Sequence, residues 1–298
     1  MRAVALLLTT LAAKAVLVGT AELLAPERGR RRLDRRQALT DLGWMALYVA
    51  YVPWVGALTW AAVRDVGHGR WAGAVAAWPW AIRVASAALT AELVHYGIHR
   101  AMHTVPFLWR LHSVHHSSTD VRWWSTFRFH PVDSALTLVV PAVVAAWCGF
   151  GAAAIAPYML VVGVVTLFAH ADVFVPGRVL AAVVVTPAFH RSHHEVGRDQ
   201  CNFALVLPAF DVLFGSASFE VDDRNFGTDA TVPSHGVLDQ LAWGSGLRPS
   251  RRASVSALPR RWRVTTGWPV PLRSGPQVGE FEPTPALLRP SSPPPPRR

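Results

Sequence analysis

Long apolar segments, separated by short polar or basic stretches, occupy most of the chain before residue 190. A helix rises about 1.5 Å per residue, so roughly 20 apolar residues cross the hydrocarbon core of a bilayer, which is about 30 Å thick. Residues 3–25, 38–63 and 71–94 are segments of this kind, and residues 134–169 contain no charged side chain. The glycine-containing break CysGlyPheGly at 148–151 divides this last region into a helical hairpin. We therefore predict an all-α integral membrane protein with about four transmembrane helices.

Basic residues are concentrated in two places. The formal net charge is +10; residues 27–36 contain six arginines and two acids, and residues 245–298 contain ten arginines and two glutamates. Both clusters flank apolar segments, which favours contact with anionic lipid headgroups over binding of nucleic acid. Arginine-rich segments beside membrane spans remain on the cytoplasmic side. We therefore expect the loop, the tail and the active site between them to face the cytoplasm of the cell membrane.

The composition changes once along the chain. Residues 1–244 are predicted to form one membrane-embedded catalytic domain, whose histidine-rich part is 92–215. Residues 245–298 are dominated by proline, arginine and serine, and we predict a disordered or membrane-skimming tail. Arginines follow the 3–25 segment directly, which favours a retained anchor over a cleaved signal peptide.

Histidines cluster in the middle of the chain. Of 13 histidines, 11 lie between His95 and His194, and most of them form one HxxxH group and two HxxHH groups. Residues three or four apart share a helix face, so each group presents several imidazoles to one side. Neutral imidazole binds Fe, Zn, Cu and Ni, and the eight or nine imidazoles available exceed what one ion accepts. The pattern predicts a pair of first-row metal ions.

Two other classes of protein also use clustered histidines. A zinc metallohydrolase requires HExxH, but His194 and Glu195 are followed by Arg198 where the second histidine is needed. A non-catalytic membrane protein that binds or transports metal or haem is the alternative, although it does not need two HxxHH groups beside HxxxH. Cys148 and Cys201 lack the CxxC spacing of a thiolate site.

The residues that flank the histidines form a series of distinctive strings. ELVHYGIHRAMH begins at Glu92 and is followed by LWRLHSVHHSS, TFRFHPVD, FAHAD and TPAFHRSHHE. In order, spacing and flanking residues, this series resembles the fatty acid hydroxylase and sterol desaturase superfamily over about residues 92–215. The chain departs from the family pattern at Glu92, at Asp172 and in residues 200–204 and 210–211.

The resemblance implies a membrane-embedded, non-haem di-iron enzyme that hydroxylates or desaturates a lipid, such as a fatty acyl chain, a sterol or another isoprenoid. It implies two irons, O₂ as co-substrate, and electrons from a separate reductase or a ferredoxin- or cytochrome-type protein. The implied metal ligands are His99, His103, His112, His115, His116, His170, His190, His193 and His194. His130 is a further candidate, either as a ligand or as a donor behind the ligands.

Acidic residues near these strings are candidates for holding the ligands in place. A histidine that binds metal through one ring nitrogen usually donates from the other to a carboxylate, a carbonyl or water. The candidate acids are Glu92, Asp133 and Asp172, followed by Asp120 and Glu195. His95 is expected not to bind metal, and His68 and His235 lie in turn-like contexts away from the cluster.

Overall fold

The computed structural model describes residues 2–27, 34–66, 71–175, 178–198, 200–219, 225–228 and 231–247. All of them lie in one compact unit, Met1–Val264. Helices are the only extended regular elements of this described part, which confirms the predicted helical class. The helices are α1 (Arg2–Leu24), α2 (Arg35–Val66), α3 (Ala72–Ala76), α4 (Trp80–Thr104), α5 (Pro106–His116), α6 (Pro131–Trp147), α7 (Ala152–His170), α8 (Arg178–Val183), α9 (Pro187–His193), α10 (Ala209–Leu213) and α11 (Val237–Gly244). A 3-10 helix, Trp123–Phe127, lies between α5 and α6.

The third predicted span is interrupted. The sequence predicts one helix over residues 71–94, whereas the structure has the short α3 and then α4, with Pro79 at the N-cap of α4. Proline has no N–H to donate, and its ring disfavours helical backbone in the residue before it, so the first helix ends there. The new helix continues well beyond the predicted end, so Glu92, His99 and His103 share one uninterrupted helix.

Helices α6 and α7 are joined by the tight turn that the sequence predicts. Gly149 in this turn has a φ of 96°, and a Cβ added there would lie 2.9 Å from the carbonyl carbon of Trp71. Both the left-handed backbone and the close approach require glycine. The hairpin brings the end of α7 back beside the start of α6. Asp133 at the start of α6 and His170 at the end of α7 therefore both contact histidines of α5.

A buried ion pair joins α2 to the segment before α6. The Arg128 guanidinium donates from Nε to Asp41 Oδ1 at 2.9 Å, and both side chains are fully buried. Arg128 also donates to Ser117 Oγ at 3.0 Å and to the carbonyl oxygen of Ser234 at 3.2 Å. A buried charge is stable only when it is paired and hydrogen-bonded. The pair therefore holds the end of the first HxxHH group against α2.

Two helices, α2 and α7, are long and apolar enough to cross a membrane by length and composition, and α6 is a shorter apolar helix. Large apolar side chains on their outer faces are exposed, including Trp54 at 77% and Leu160 at 57%. Apolar surface of this kind fits lipid better than water, so the protein associates with a membrane. The four-span topology stays a prediction, and residues 28–33 and 248–298, which include most of the predicted basic segments, lie outside the described residues.

Candidate metal centre

Nine of the predicted histidines converge in the structure, and they do so in two groups. All nine are buried, and within each group one ring nitrogen per residue lies within 4.8 Å of the corresponding nitrogens of the others. The first group contains His99, His103, His112, His116 and His193. The second group contains His115, His170, His190 and His194.

Each HxxHH group is divided between the two clusters. In α5, His112 and His116 are four residues apart and both face the first group, while His115 faces the second. In and just after α9 the pattern is reversed, because His190 and His194 face the second group and His193 the first. The i, i+4 pair shares a helix face, and the residue between lies on a different one. Each HxxHH group therefore serves both clusters.

Four of the nine rings are held in place by a hydrogen bond that Nδ1 donates to an oxygen atom outside the two groups. His99 donates to the carbonyl oxygen of Phe203 at 2.7 Å, and His193 to that of Cys201 at 2.6 Å. Two further donors are His112, to Asp133 Oδ2 at 2.8 Å, and His170, to the Thr166 carbonyl oxygen at 2.8 Å. These acceptors require the proton on Nδ1, which leaves the Nε2 lone pair directed into the centre.

The Nε2 atoms face one another at distances that suit a shared cation. His99 Nε2 lies 3.1 Å from both His112 Nε2 and His193 Nε2, and His170 Nε2 lies 3.1 Å from His115 Nε2. Two lone pairs at this distance repel unless a cation lies between them. Imidazole nitrogens bound at about 2.1 Å at right angles to each other would be about 3.0 Å apart, and about 3.4 Å apart in a tetrahedral site. The donor set therefore fits a metal with more than four ligands better than tetrahedral zinc.

Burial favours the neutral form of five of these imidazoles. Loss of solvation, reinforced by neighbouring imidazoles, lowers the pKa of His115, His116, His190 and His194 well below the usual value. Burial likewise lowers the pKa of His193 to about 3. Neutral imidazole is the form that binds metal, so these side chains need no deprotonation at neutral pH before they bind an ion.

Glu92 lies behind the first group, but its carboxylate holds backbone amides. Its Oε1 accepts from the N–H groups of Leu205, Val206 and Leu207 at 2.9, 2.8 and 3.0 Å. Its Oε2 accepts from the Tyr158 hydroxyl at 2.5 Å. From the sequence this acid is a candidate for orienting a ring nitrogen; in the structure its carboxylate contacts the segment that follows Phe203.

The remaining predicted acids make ion pairs at the edges of the centre. Asp172 Oδ1 accepts from Arg191 Nη1 at 2.9 Å, which holds α9 against the end of α7. Asp120 pairs with Arg122 at 2.8 Å, and Glu195 lies 3.5 Å from Arg198. The carboxylate of Asp133, by contrast, contacts a ring nitrogen of His112 in the first group.

His130, His95 and His235 lie outside both groups. His130 caps α6, where its Nδ1 accepts from the Val132 N–H at 3.3 Å and its Nε2 lies 3.1 Å from Ser245 Oγ. His95 is one turn before His99, and its ring centroid lies 5.7 Å from that ring. His68 lies outside the described residues.

Sequence reasoning missed the residues that shape the segment after α9. Asn202 has a φ of 58°, and its side-chain amide donates to the Phe189 carbonyl oxygen, to Ser192 Oγ and to the Ser218 carbonyl oxygen at 2.8–2.9 Å. Asn is one of the few residues that tolerate this left-handed backbone. The sequence shows only that residues 200–204 depart from the family pattern, and it does not indicate that the carbonyl oxygen of Cys201 holds His193.

Asp211 completes the support of this segment. Its Oδ1 and Oδ2 accept from the N–H groups of Phe203 and Ala204, each at 2.8 Å, and Oδ1 also accepts from Ser216 Oγ at 2.7 Å. Together with Glu92, it satisfies the N–H groups of residues 203–207. Two carboxylates therefore replace the backbone partners that a helix or a sheet would supply.

An apolar cavity of about 460 Å³ opens onto both groups. Its volume lies in the range of small-molecule sites. One end of the cavity is formed by His99, His112, His115, His170 and His190, with His95 beside them. The remaining wall is mostly apolar and comes from α1, α2, α6 and α7, with Val52, Val55, Leu138, Ile155, Met159 and Val162 among its side chains.

Residues 84–216 match the family model described as "Fatty acid hydroxylase". This segment of the chain is similar to fatty acid hydroxylases. It contains all nine converging histidines. The resemblance drawn from the sequence is thereby confirmed.

Curated relatives are similar to parts of this chain. Protein CER1-like 2 from Arabidopsis thaliana is 28% identical over 149 residues, which is 46% of this chain and 24% of that protein. Protein CER1-like 1 from the same plant is 30% identical over 137 residues, 42% of this chain and 21% of that protein. Alkylglycerol monooxygenase from Homo sapiens is 29% identical over 167 residues, 52% of this chain and 34% of that protein. The matches thus cover between about a fifth and a third of these relatives. No solved structure matches the chain significantly.

Proposed function

We propose that this protein is an O₂-dependent, non-haem di-iron oxidoreductase that hydroxylates or desaturates a membrane lipid. The observation that carries the proposal is the pair of buried histidine groups at the end of an apolar cavity. A bound iron pair would supply the electron storage that attack of O₂ on an unactivated C–H bond requires. The name of one relative, alkylglycerol monooxygenase, supports oxidation of a lipid.

Each histidine group is proposed to hold one iron. The first iron would be bound by His99, His103, His112, His116 and His193, and the second by His115, His170, His190 and His194. His130 is left out of this ligand set because both of its ring nitrogens have partners outside the groups. Five and four imidazoles would leave each ion open to further ligands.

The chain's own side chains would orient the ligands and the lipid. Asp133 and the carbonyl oxygens of Phe203, Cys201 and Thr166 hold four rings with Nε2 directed inward. Such acceptors raise the basicity of the ligand and prevent it from rotating. The apolar wall of the cavity excludes water and would align an acyl or isoprenoid chain with its reacting carbon near the histidines.

A membrane protein that binds or transports metal or haem is the competing proposal. Haem iron takes one or two axial ligands from the protein, whereas each group here offers four or five imidazoles. The cavity is also a feature that a metal store does not need. Both observations favour the enzyme.

Orientation, partners and domain division complete the proposal. We place the active site and the C-terminus at the cytoplasmic face, with the arginine-rich segments at 27–36 and 245–298 on anionic headgroups. The catalytic domain would be residues 1–244, and a separate electron-transfer protein would supply electrons. Reporter fusions at the C-terminus test the orientation, and a tail located outside the cell would contradict it.

Metal content tests the ligand assignment. The full chain, purified in detergent, is expected to hold about two irons per molecule, measured by mass spectrometry. His193→Ala and His115→Ala should each lose iron and turnover, because each removes a ligand from a different group. His235→Ala is the matched control, since His235 lies outside both groups. Haem absorbance, a single iron in the parent, or full iron content in either ligand variant would contradict the assignment.

Product analysis tests the reaction. Lipids of cells with and without the gene should differ in one oxidised class, which identifies the substrate. Feeding isotopically labelled O₂ then separates the two outcomes, because a hydroxylated product retains a labelled oxygen atom and a desaturated product does not. Identical lipid profiles in both cell types, with iron present in the protein, would contradict a lipid oxygenase.

A further inference from the structure

One lysine lies in the wall of the cavity. Lys14 is the only lysine in the sequence, in which the other 28 basic residues are arginines. It belongs to α1 and lines the cavity together with Thr10 and Leu11 of the same helix. No acidic side chain lines this cavity in the described part of the chain, so Lys14 is the charged group of an otherwise apolar wall with histidines at one end.

The packing of α1 against α7 gives the distance between the Lys14 amine and the histidines. Lys14 Nζ lies 2.6 Å from the point that a Cβ on Gly163 would occupy, so the side chain reaches α7. At the metal end, Glu22 Oε2 of α1 accepts from the Asp172 N–H, just after α7, at 3.0 Å. The two helices therefore run side by side in the same direction. Gly163 precedes His170 by two helical turns, which places the amine about 10 Å from the level of that histidine.

The ammonium group of Lys14 in this apolar wall needs a negatively charged partner. A charged side chain in an apolar or membrane environment is unfavourable unless it is paired. The side chains that line the cavity provide no carboxylate, so a bound molecule is the available source of a counter-charge. Lysine also suits this point better than arginine, because its head is compact and lies where Gly163 leaves space on α7.

We propose that Lys14 binds the carboxylate of a free fatty acid whose chain extends through the cavity toward the two histidine groups. The inference rests on the proposed function, because it takes the cavity to be the lipid site. The acid end would lie away from the histidines, so oxidation would fall on carbons remote from the carboxylate. A carboxylate neutralises the ammonium, whereas an ester or an alcohol does not, and hydrogen bonds between charged partners are about twice as strong as neutral ones.

Ligand binding tests the role of Lys14 without any turnover. Affinities of the purified full chain for hexadecanoate and for methyl hexadecanoate are compared at neutral pH. The acid should bind about 10- to 100-fold more tightly than the ester, as expected for a charge-assisted hydrogen bond. Lys14→Met should abolish this preference and leave ester affinity and iron content unchanged. Leu17→Met is the matched control, because Leu17 lies on the outer face of α1 and is 67% exposed.

The single lysine also permits a direct measurement on the parent protein. Reductive methylation with an isotopically labelled methyl group marks Lys14 and otherwise only an amino terminus. Hexadecanoate should shift the nuclear magnetic resonance signal of the labelled lysine, and the methyl ester should not. Equal binding of acid and ester, a preference that survives in Lys14→Met, or an unshifted signal would overturn the role of Lys14 alone. If neither ligand binds, the lipid site and the proposed function fail with it.

Discussion

Glu92 provides the clearest test of how the first histidine group is positioned. Its carboxylate accepts hydrogen bonds from the N–H groups of residues 205–207 and from the Tyr158 hydroxyl. Three variants divide these contacts. Glu92→Leu removes all of them, Tyr158→Phe removes one, and Glu92→Gln keeps an oxygen for the three amides.

The structure sets the expected order of the effects. Each buried N–H left without an acceptor costs about 1–3 kcal/mol, so Glu92→Leu should cost about 3–9 kcal/mol. The total stability of a domain is only about 5–15 kcal/mol, so this variant should accumulate poorly or lose most of its stability. Tyr158→Phe should cost about 1.5–3 kcal/mol, since it removes a bond to a charged acceptor. Glu92→Gln should cost no more than Tyr158→Phe, because its amide N–H can donate to the Tyr158 oxygen.

Thermal unfolding in detergent and iron analysis are the two measurements. For a domain of this size, 1 kcal/mol corresponds to a shift of about 2–4 °C in the unfolding midpoint. Glu92→Gln and Tyr158→Phe should therefore lie within about 10 °C of the parent and retain iron. Any Glu92→Leu protein that is recovered should be far less stable and should have lost iron from the first histidine group.

Two results would refute this reasoning. A Glu92→Leu protein with a midpoint within a few degrees of the parent would mean that the amides of residues 205–207 do not depend on the carboxylate. A folded Glu92→Gln protein that has lost its iron would mean that Glu92 acts on a ligand, the role for which the sequence makes it a candidate, rather than on the backbone.

Three further single variants and one double variant test other contacts. Asp133→Asn should weaken iron binding by about 10- to 100-fold in a chelator competition, with an unchanged unfolding midpoint, because it weakens the acceptor behind His112; unchanged affinity would contradict this role. Asp41→Ala should cost about 3–5 kcal/mol, since it leaves Arg128 buried without its counter-charge. The double variant Asp41→Leu with Arg128→Met should be more stable than the single one by thermal midpoint, and the reverse order would refute the argument. His130→Ala should keep its iron, and loss of iron would restore His130 as a ligand.

The sequence predicts the helical class and the convergence of the histidines for a simple physical reason. Spacings of three and four residues place side chains on shared helix faces, and a charge-free stretch with a glycine-containing break forms a hairpin. These signals are local. The interruption at Pro79 was equally visible, but the apolar composition on both sides outweighed it in the prediction of a third span.

The division of each HxxHH group between two clusters was not predictable. It depends on how α4, α5, α7 and α9 cross, and the crossing is set by packing between helices that are distant in sequence. The spacing of residues predicts which side chains share one face of a helix, but it does not predict which other helices that face contacts. For the same reason, the sequence assigns nine histidines to a common centre but does not separate them into five and four.

The acids were difficult to assign for a different reason. Glu92 and Asp133 look alike in sequence, since each is an acid close to a histidine string. Asp133 contacts a ring nitrogen of His112, whereas Glu92 contacts backbone amides more than a hundred residues away along the chain. The partners of such carboxylates are long-range, so only the folded chain identifies them.

The two histidine groups depend on different parts of the fold. In the first group, His99 and His193 are held by carbonyl oxygens of the irregular segment around Asn202, and that segment depends on Glu92 and Asp211 for its amides. In the second group, the ring of His170 is held by a carbonyl oxygen one turn earlier in its own helix. A helix maintains that contact through its backbone geometry, whereas the N–H groups of residues 203–207 in the irregular segment are held by two side-chain carboxylates. Weakening the Glu92 contacts should therefore release metal from the first group before the second. An iron content near one per chain in a partly stable Glu92 variant, rather than near zero, is the result that this asymmetry requires.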